Sequence, residues 1–335
     1  FRGIRAFQVN PSISFISRRY FSGSVIDYCQ KETKQKDYWS WYCGRFLPTN
    51  VSNALALFHS VHHELINAGS QLKNTNNPDI SISNSKDAKK MRVEWWKQSV
   101  QVCFDTAKQI KETGDTSKIM NVPNHPLLRG ILSMMMDDIE LSRTHFASLF
   151  RAHSDNTRPI SMDDLENYGK NSLGSVFGLS LGCLWKEYPE ISPSERLDIE
   201  HCTLHLAQAL SLFQLLRATP MHISNRTCYL PIQLLSEQKI SLEDLFRGKA
   251  DMEKFSDIIY SIASSAHIHL EHSIKLRNNI PSKETKNLFL QSVIVRDYLE
   301  ELRKCNFDLY NEKLTSPKPI LWQAKIIYAN FTGKF

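Results

Sequence analysis

Residues Leu206–Pro231 read LAQALSLFQLLRATPMHISNRTCYLP, and this stretch decides the fold. It sits in a longer run where Ile199, Cys202, Leu206, Ala209, Leu210, Phe213 and Leu216 recur at steps of three and four residues. That spacing lays one apolar stripe along a helix, and Leu204, Leu212 and Leu215 widen it until little of the circumference is polar. Such a helix belongs in the middle of a bundle. Its expected end follows Arg217-Ala218-Thr219, because Pro220 has no N–H to give to the preceding turn.

The same periodicity recurs on both sides of this stretch. Asn53–Gly69 predicts a helix with Leu55, Phe58, Val61 and Leu65 on its core side. Ser70–Lys90 is polar throughout and reads as a long loop, after which MRVEWWKQSVQVCF resumes the helical pattern. A Gly-Asp-Thr-Ser loop leads to Pro123 and one predicted helix through His153, carrying Asp137 and Asp138 after three Met residues. Ser161 with Asp164 predicts a capping box, and Gly169, Gly174, Gly178 and Gly182 then allow close helix approach. Ser192, Pro193 and Glu195 supply N-cap, N1 and N3 chemistry for the central helix. Ser241 with Asp244, Phe255–Leu276 and Thr285–Cys305 mark further helices. The aromatics Tyr38, Trp39, Trp41 and Tyr42 read as a docking cluster. The fold class is all-α.

A chain of 335 residues that is 41% hydrophobic can bury one large core or two modest ones, and its longest apolar runs fall well short of a spanning helix. Four of its six net positive charges (Arg2, Arg5, Arg18, Arg19) lie in the first 22 residues, so the body is nearly neutral and nucleic acid is not an expected partner. Residues 1–22, FRGIRAFQVNPSISFISRRYFS, hold no acidic residue, the first being Asp27. That is the composition of a mitochondrial transit peptide, with a cut expected after Phe21. Seven cysteines without a C-x-x-C pair point to reduced thiols rather than a disulfide framework. Asn225-Arg226-Thr227 is a formal glycosylation sequon, irrelevant to a matrix protein.

Leu216-Arg217 and Tyr229-Leu230-Pro231 resemble the second signature of the squalene and phytoene synthase family at matching distance, and Arg92, Trp95 and Trp96 resemble its Arg-x-x-Trp-Trp. The resemblance implies an isoprenoid-synthase-like helical bundle around a central apolar chamber, over residues 23–335, with Trp95 and Trp96 in the core. It also implies an Asp directly after the Arg and another four residues on, where this chain has Ala218 and His222. The family's Gln and Asn further back are Ser211 and Gln214 here, and its first Asp cluster falls near Ile66, Asn67 and Ser70. Paired carboxylates hold Mg²⁺, which bridges protein to diphosphate. Between His201 and Ser236 there is no carboxylate, and between Asn53 and Pro78 only Glu64, so no shift of register restores either half.

Arg217, Ala218, His222, Arg226 and Tyr229 therefore read as a vestigial pocket, with no catalytic, cofactor-binding or metal-ligating residue expected. Three histidine groups invite a metal reading: His59, His62 and His63; His201 and His205; and His267, His269 and His272. None has H-E-x-x-H or Cys-based zinc spacing, and all read as core or surface histidines. Asp137 and Asp138, the remaining acidic candidates, point about 100° apart on a helix and read as a solvated face.

The run LLRATPMHISNRTCYLPIQLLSEQKISLEDLFR, with IASSAHIHLEHSIKLR after it, resembles a narrower, non-catalytic branch of the superfamily that shares Leu-Arg-Ala-Thr-Pro-x-His. That resemblance implies work in the assembly of respiratory complex I, on the matrix side of the mitochondrial inner membrane. Its partners would be complex I subunits or other assembly factors, with peripheral membrane contact. The alternative is a prenyl-lipid-binding protein or a divergent prenyl transferase, with a lipid in the chamber and Arg217, His222 and Arg226 holding its anionic head.

Overall fold

The computed structural model describes residues 23–68, 78–154 (78–86 as backbone), 158–280, 282–315, 319–333 and 335. The 1–22 leader, its expected cut after Phe21, and Ser70 of the first motif lie outside the described residues. Among the described residues every regular element is helical. In chain order they are α1 Gly23–Lys36, α2 Tyr38–Gly44, α3 Thr49–Asn67, α4 Pro78–Thr113, α5 Pro126–Met136, α6 Arg143–Ser154, α7 Met162–Asn171 and α8 Leu173–Glu187. There follow α9 Pro193–Ser224, α10 Ile232–Glu237, α11 Leu242–Phe246, α12 Met252–Arg277, α13 Lys283–Lys286, α14 Ser292–Lys304, α15 Glu312–Thr315 and α16 Pro319–Thr332.

The stripe that predicted α9 is its buried face. Ile199, Cys202, Leu206, Ala209, Leu210, Phe213 and Leu216 are all buried. The helix packs against α12, α7, α8 and α14, so it occupies the middle of the bundle. Its start is the expected capping box: Ser192 Oγ accepts from the Glu195 N–H while the Glu195 carboxylate accepts from the Ser192 N–H, with Pro193 at N1. Ser161 and Asp164 repeat the device on α7, and Ser241 caps α11 by accepting from Asp244. Buried apolar side chains form one cluster from Val25 to Phe335.

Two glycines allow close approach, Gly182 of α8 to the α5–α6 connection and Gly169 of α7 to α9. A Cβ on Gly182 would lie 2.3 Å from the Glu140 carbonyl oxygen, a backbone atom that cannot step aside. A Cβ on Gly169 would lie 3.0 Å from Ser211 Cβ on α9. The aromatic cluster docks helices as expected: Trp39 stands edge-on to Trp322 at 5.1 Å, and the Tyr38 hydroxyl accepts from Gln323, tying α16 to α2.

The structure corrects several boundaries. α9 continues through Pro220 to Ser224, because the proline removes only its own bond to the Leu216 carbonyl and the turns on either side remain intact. The Thr219 hydroxyl adds a bond to the Leu215 carbonyl at the same place. Much of the expected Ser70–Lys90 loop is helix: α4 starts at Pro78, a residue suited to the first turn. The expected helix through His153 is two. Asp138 adopts a left-handed φ of 55° and the Ile139 N–H returns to the Met134 carbonyl, a C-terminal cap that polar Asp accepts. Thr285–Cys305 likewise divides into α13, a 3₁₀ turn at Asn287–Phe289, and α14. Trp96 is fully buried as the resemblance implied, but Trp95 is 40% exposed, because adjacent helical positions diverge by about 100°.

Candidate functional site

Both motif helices, α3 and α9, pack on α8. α3 turns three histidines inward where the resemblance places the approach to the first Asp cluster. His59 and His62 are buried and His63 is half-buried. His62 Nδ1 shares a proton with His153 Nε2 of α6 at 3.1 Å. Burial pushes all of these imidazoles down: His153 to about 3 and His63 to about 4, with His59 and His62 lowered in the same sense. They are neutral groups at neutral pH.

From there the contacts run on in a row. His153 meets Tyr168 of α7 edge-on at 5.8 Å. Tyr168 is 38% open to solvent, yet burial pushes its phenol up to about 12, with the neighbouring Tyr229 adding to the rise. Tyr229 in turn stands 4.9 Å from His222 on α9. Imidazoles and phenols thus join the first-motif helix to the second.

His222 and Tyr229 of the sequence-derived pocket therefore meet, and Ala218 lies half-buried one turn before His222. The two arginines do not join them. Arg217 is exposed, with its guanidinium 5.7 Å from the Phe213 ring centroid. Arg226 pairs with Glu243 at 3.0 Å and lies 5.6 Å from the Phe246 ring centroid. Neither guanidinium is aimed at a shared anion. Glu64, the one carboxylate of the first-motif stretch, pairs with Arg92 at 3.3 Å. An open groove of about 860 Å³ lies against Pro220, Ile223 and Ser224, on the side of α9 opposite Ala218 and His222.

The other candidates also find their places. Asp138 pairs with Lys111 and Asp137 accepts Lys186 through its backbone carbonyl, both at the surface. His205 bonds His269 at 3.0 Å and His272 stands 5.1 Å away, so α9 and α12 share a cluster that also holds Glu166, 3.6 Å from His269. All seven cysteines are free and buried. Sequence reasoning missed Asp37. Its carboxylate caps α2 and reaches within 4.0 Å of His59, from 22 residues upstream. The sequence reading puts His59 and His62 on a shared face; nothing in the chain points to Asp37 as a partner of His59 and His63.

Comparison with known proteins places these features in context. The family model described as squalene/phytoene synthase matches residues 33–323. "NADH dehydrogenase (ubiquinone) complex I, assembly factor 6" of Mus musculus is 28% identical over 314 residues, covering 93% of this chain and 84% of that protein. The Homo sapiens protein of that name is 27% identical over 295 residues, with 88% and 78% covered. Its Dictyostelium discoideum homolog is 28% identical over 240 residues, with 71% and 61% covered. Among solved structures, a dehydrosqualene synthase superposes with a TM-score of 0.67 at 15% identity, covering 95% of this chain and 98% of that one. Squalene synthase HpnC of Alicyclobacillus acidocaldarius gives 0.64 at 13% identity, with 90% and 99% covered.

Proposed function

The chain belongs to the squalene/phytoene synthase family, and from that premise we propose that it is a non-catalytic assembly factor for mitochondrial complex I. One observation carries the reading. Where a diphosphate-handling member needs facing carboxylates, this chain has Ala218 and His222 on α9 and Ile66 and Asn67 on α3. The relatives named for complex I assembly support it independently. Arg217, Ala218, His222, Arg226 and Tyr229 are then the remains of a substrate pocket, and the chain acts through its surface on complex I subunits or other assembly factors. The lipid-binding alternative draws no support from the arginines: Arg217 on α9 lies over Phe213, and Arg226, just past the end of α9, pairs with Glu243.

The same reading gives an imported protein: a cut after Phe21 removes the leader, and 23–335 form one helical domain at the matrix face of the inner membrane. Among the described residues no helix is long and apolar enough to cross a membrane. On this reading contact with that membrane is peripheral, and alkaline carbonate should release the protein from mitochondrial membranes; retention in the pellet would count against this placement.

The direct test restores the family's acidic pair. Cells carrying only the Ala218→Asp, His222→Asp protein, at abundance matched to the native one, should keep complex I near its normal level. Complex I lost at normal abundance of the variant would overturn the surface reading and put an anionic ligand in the pocket. Abundance must be checked first, since an unpaired carboxylate out of water costs several kcal/mol or takes up a proton.

A further inference from the structure

We propose that Asp37, His59 and His63 form a binding site for a divalent transition-metal ion of the zinc class, clipping the α1–α2 corner to α3. This site is separate from the two positions where the family resemblance places Mg²⁺ ligands, and it does not depend on the assembly role.

Three observations carry it. First, the donor set converges from two elements. His59 and His63 are one turn apart on α3 and share a face, while Asp37 reaches them from the start of α2. One ligand atom from each residue lies within 4.8 Å of the other two. Tetrahedral zinc with bonds of 2.0–2.2 Å spaces its ligands about 3.4 Å apart, so side-chain rotation of roughly 1 Å closes the set.

Second, the imidazoles lack other partners. His59 is 1% exposed, and among the described residues neither of its ring nitrogens has a hydrogen-bond partner. The same holds for His63 Nε2. His59 Nδ1 stands 4.0 Å from Asp37 Oδ2, too far for a hydrogen bond. A buried polar atom left unpaired is costly, and native structures rarely tolerate three together. The other two buried imidazoles do not share this condition, since His62 pairs with His153, and the half-buried His205 pairs with His269.

Third, the carboxylate is held as metal-binding carboxylates are. Asp37 accepts from the Ser40 N–H at 3.1 Å and the Ser40 hydroxyl at 2.6 Å, and lies 3.5 Å from the Gln214 amide. Such outer contacts orient a ligand before the ion arrives. Gln214 comes from α9, so an ion here would couple the N-terminal corner to the central helix as well as to α3. Two nitrogens and one oxygen suit zinc, cobalt or ferrous ion, whereas Mg²⁺ demands an oxygen shell. A fourth position is left to water or to a ligand from a partner.

The test uses the full chain, stripped with a chelator and titrated with Co²⁺ and Zn²⁺ near neutral pH, with Mg²⁺ as control. The native chain should bind one equivalent of Co²⁺ with the visible spectrum of a low-symmetry site. Zn²⁺ should displace it and raise the melting temperature, and Mg²⁺ should do neither. Asp37→Asn and His63→Gln, both at half-buried positions, should each weaken Co²⁺ binding at least tenfold, while His205→Asn leaves it unchanged. His59→Gln should behave likewise if it folds, but the test does not depend on it. No stoichiometric binding by the native chain, binding untouched in Asp37→Asn and His63→Gln, or binding lost in His205→Asn would each overturn the proposal.

Discussion

Purified protein given farnesyl or geranylgeranyl diphosphate with Mg²⁺ is expected to release no squalene, phytoene or inorganic diphosphate above a protein-free control. Ionisation of an allylic diphosphate puts several negative charges on the departing group, and the cost of that charge sets the rate. Removing a single group that stabilises developing charge lowers rate on the order of 10²–10³. On the proposed reading, the losses lie on two helices. Ala218 offers no ligand, and His222 is packed against Tyr229 with its pKa lowered by burial. On α3, Ile66 is 44% exposed and carries no donor, and the nearby Glu64 is engaged by Arg92. Ala218→Asp with His222→Asp should therefore remain inactive too, because one half of a two-sided ion cluster holds no bridging metal. Product from the native chain, or from that double variant, would show that chemistry survives in this fold without the paired carboxylates.

How far the sequence foretold this arrangement depends on the range of the interaction. The α9 stripe was legible because periodicity is local and a nearly all-apolar helix can only be central; every stripe residue is buried. The caps at Ser161, Ser192 and Ser241 were legible for the same reason, since cap and N3 residue sit three apart. The breaks were harder. Pro220 looked like a stop, but one missing N–H near a helix end is outweighed by the packing of the turns around it. Asp138 looked helical because its left-handed φ is set by where α6 must go, with Glu140 pressed onto Gly182. That His201–Ser236 holds no carboxylate could be read directly from residue identities. The histidine row could not: His62 meets His153 across 91 residues and His205 meets His269 across 64. No spacing rule spans such distances, and the packing that brings them together is decided by apolar neighbours on four different helices.

That packing has a consequence in acid. Between pH 7 and pH 5 the native chain should lose about 2 kcal/mol more stability than a His153→Gln variant. His153 is 2% exposed, and its pKa is pushed down to about 3, by burial first and by the nearby Lys89 second. In the unfolded chain its pKa returns to about 6.5. The folded state thus holds the neutral ring and the unfolded state binds the proton. The stabilisation is fully present above pH 6.5 and is lost progressively as pH falls from there toward 3. Gln at 153 keeps a polar group facing His62 Nδ1, now 3.1 Å from the imidazole, but has no proton to gain. Its absolute stability at pH 7 should be lower, since the ring also packs on Tyr168. The slope is what discriminates. His62 stays depressed in the variant because burial, not His153, is its leading cause, so it contributes to both chains. Urea midpoints at the two pH values give the comparison, and parallel slopes would mean that acid acts on this bundle elsewhere than at the α3–α6 contact.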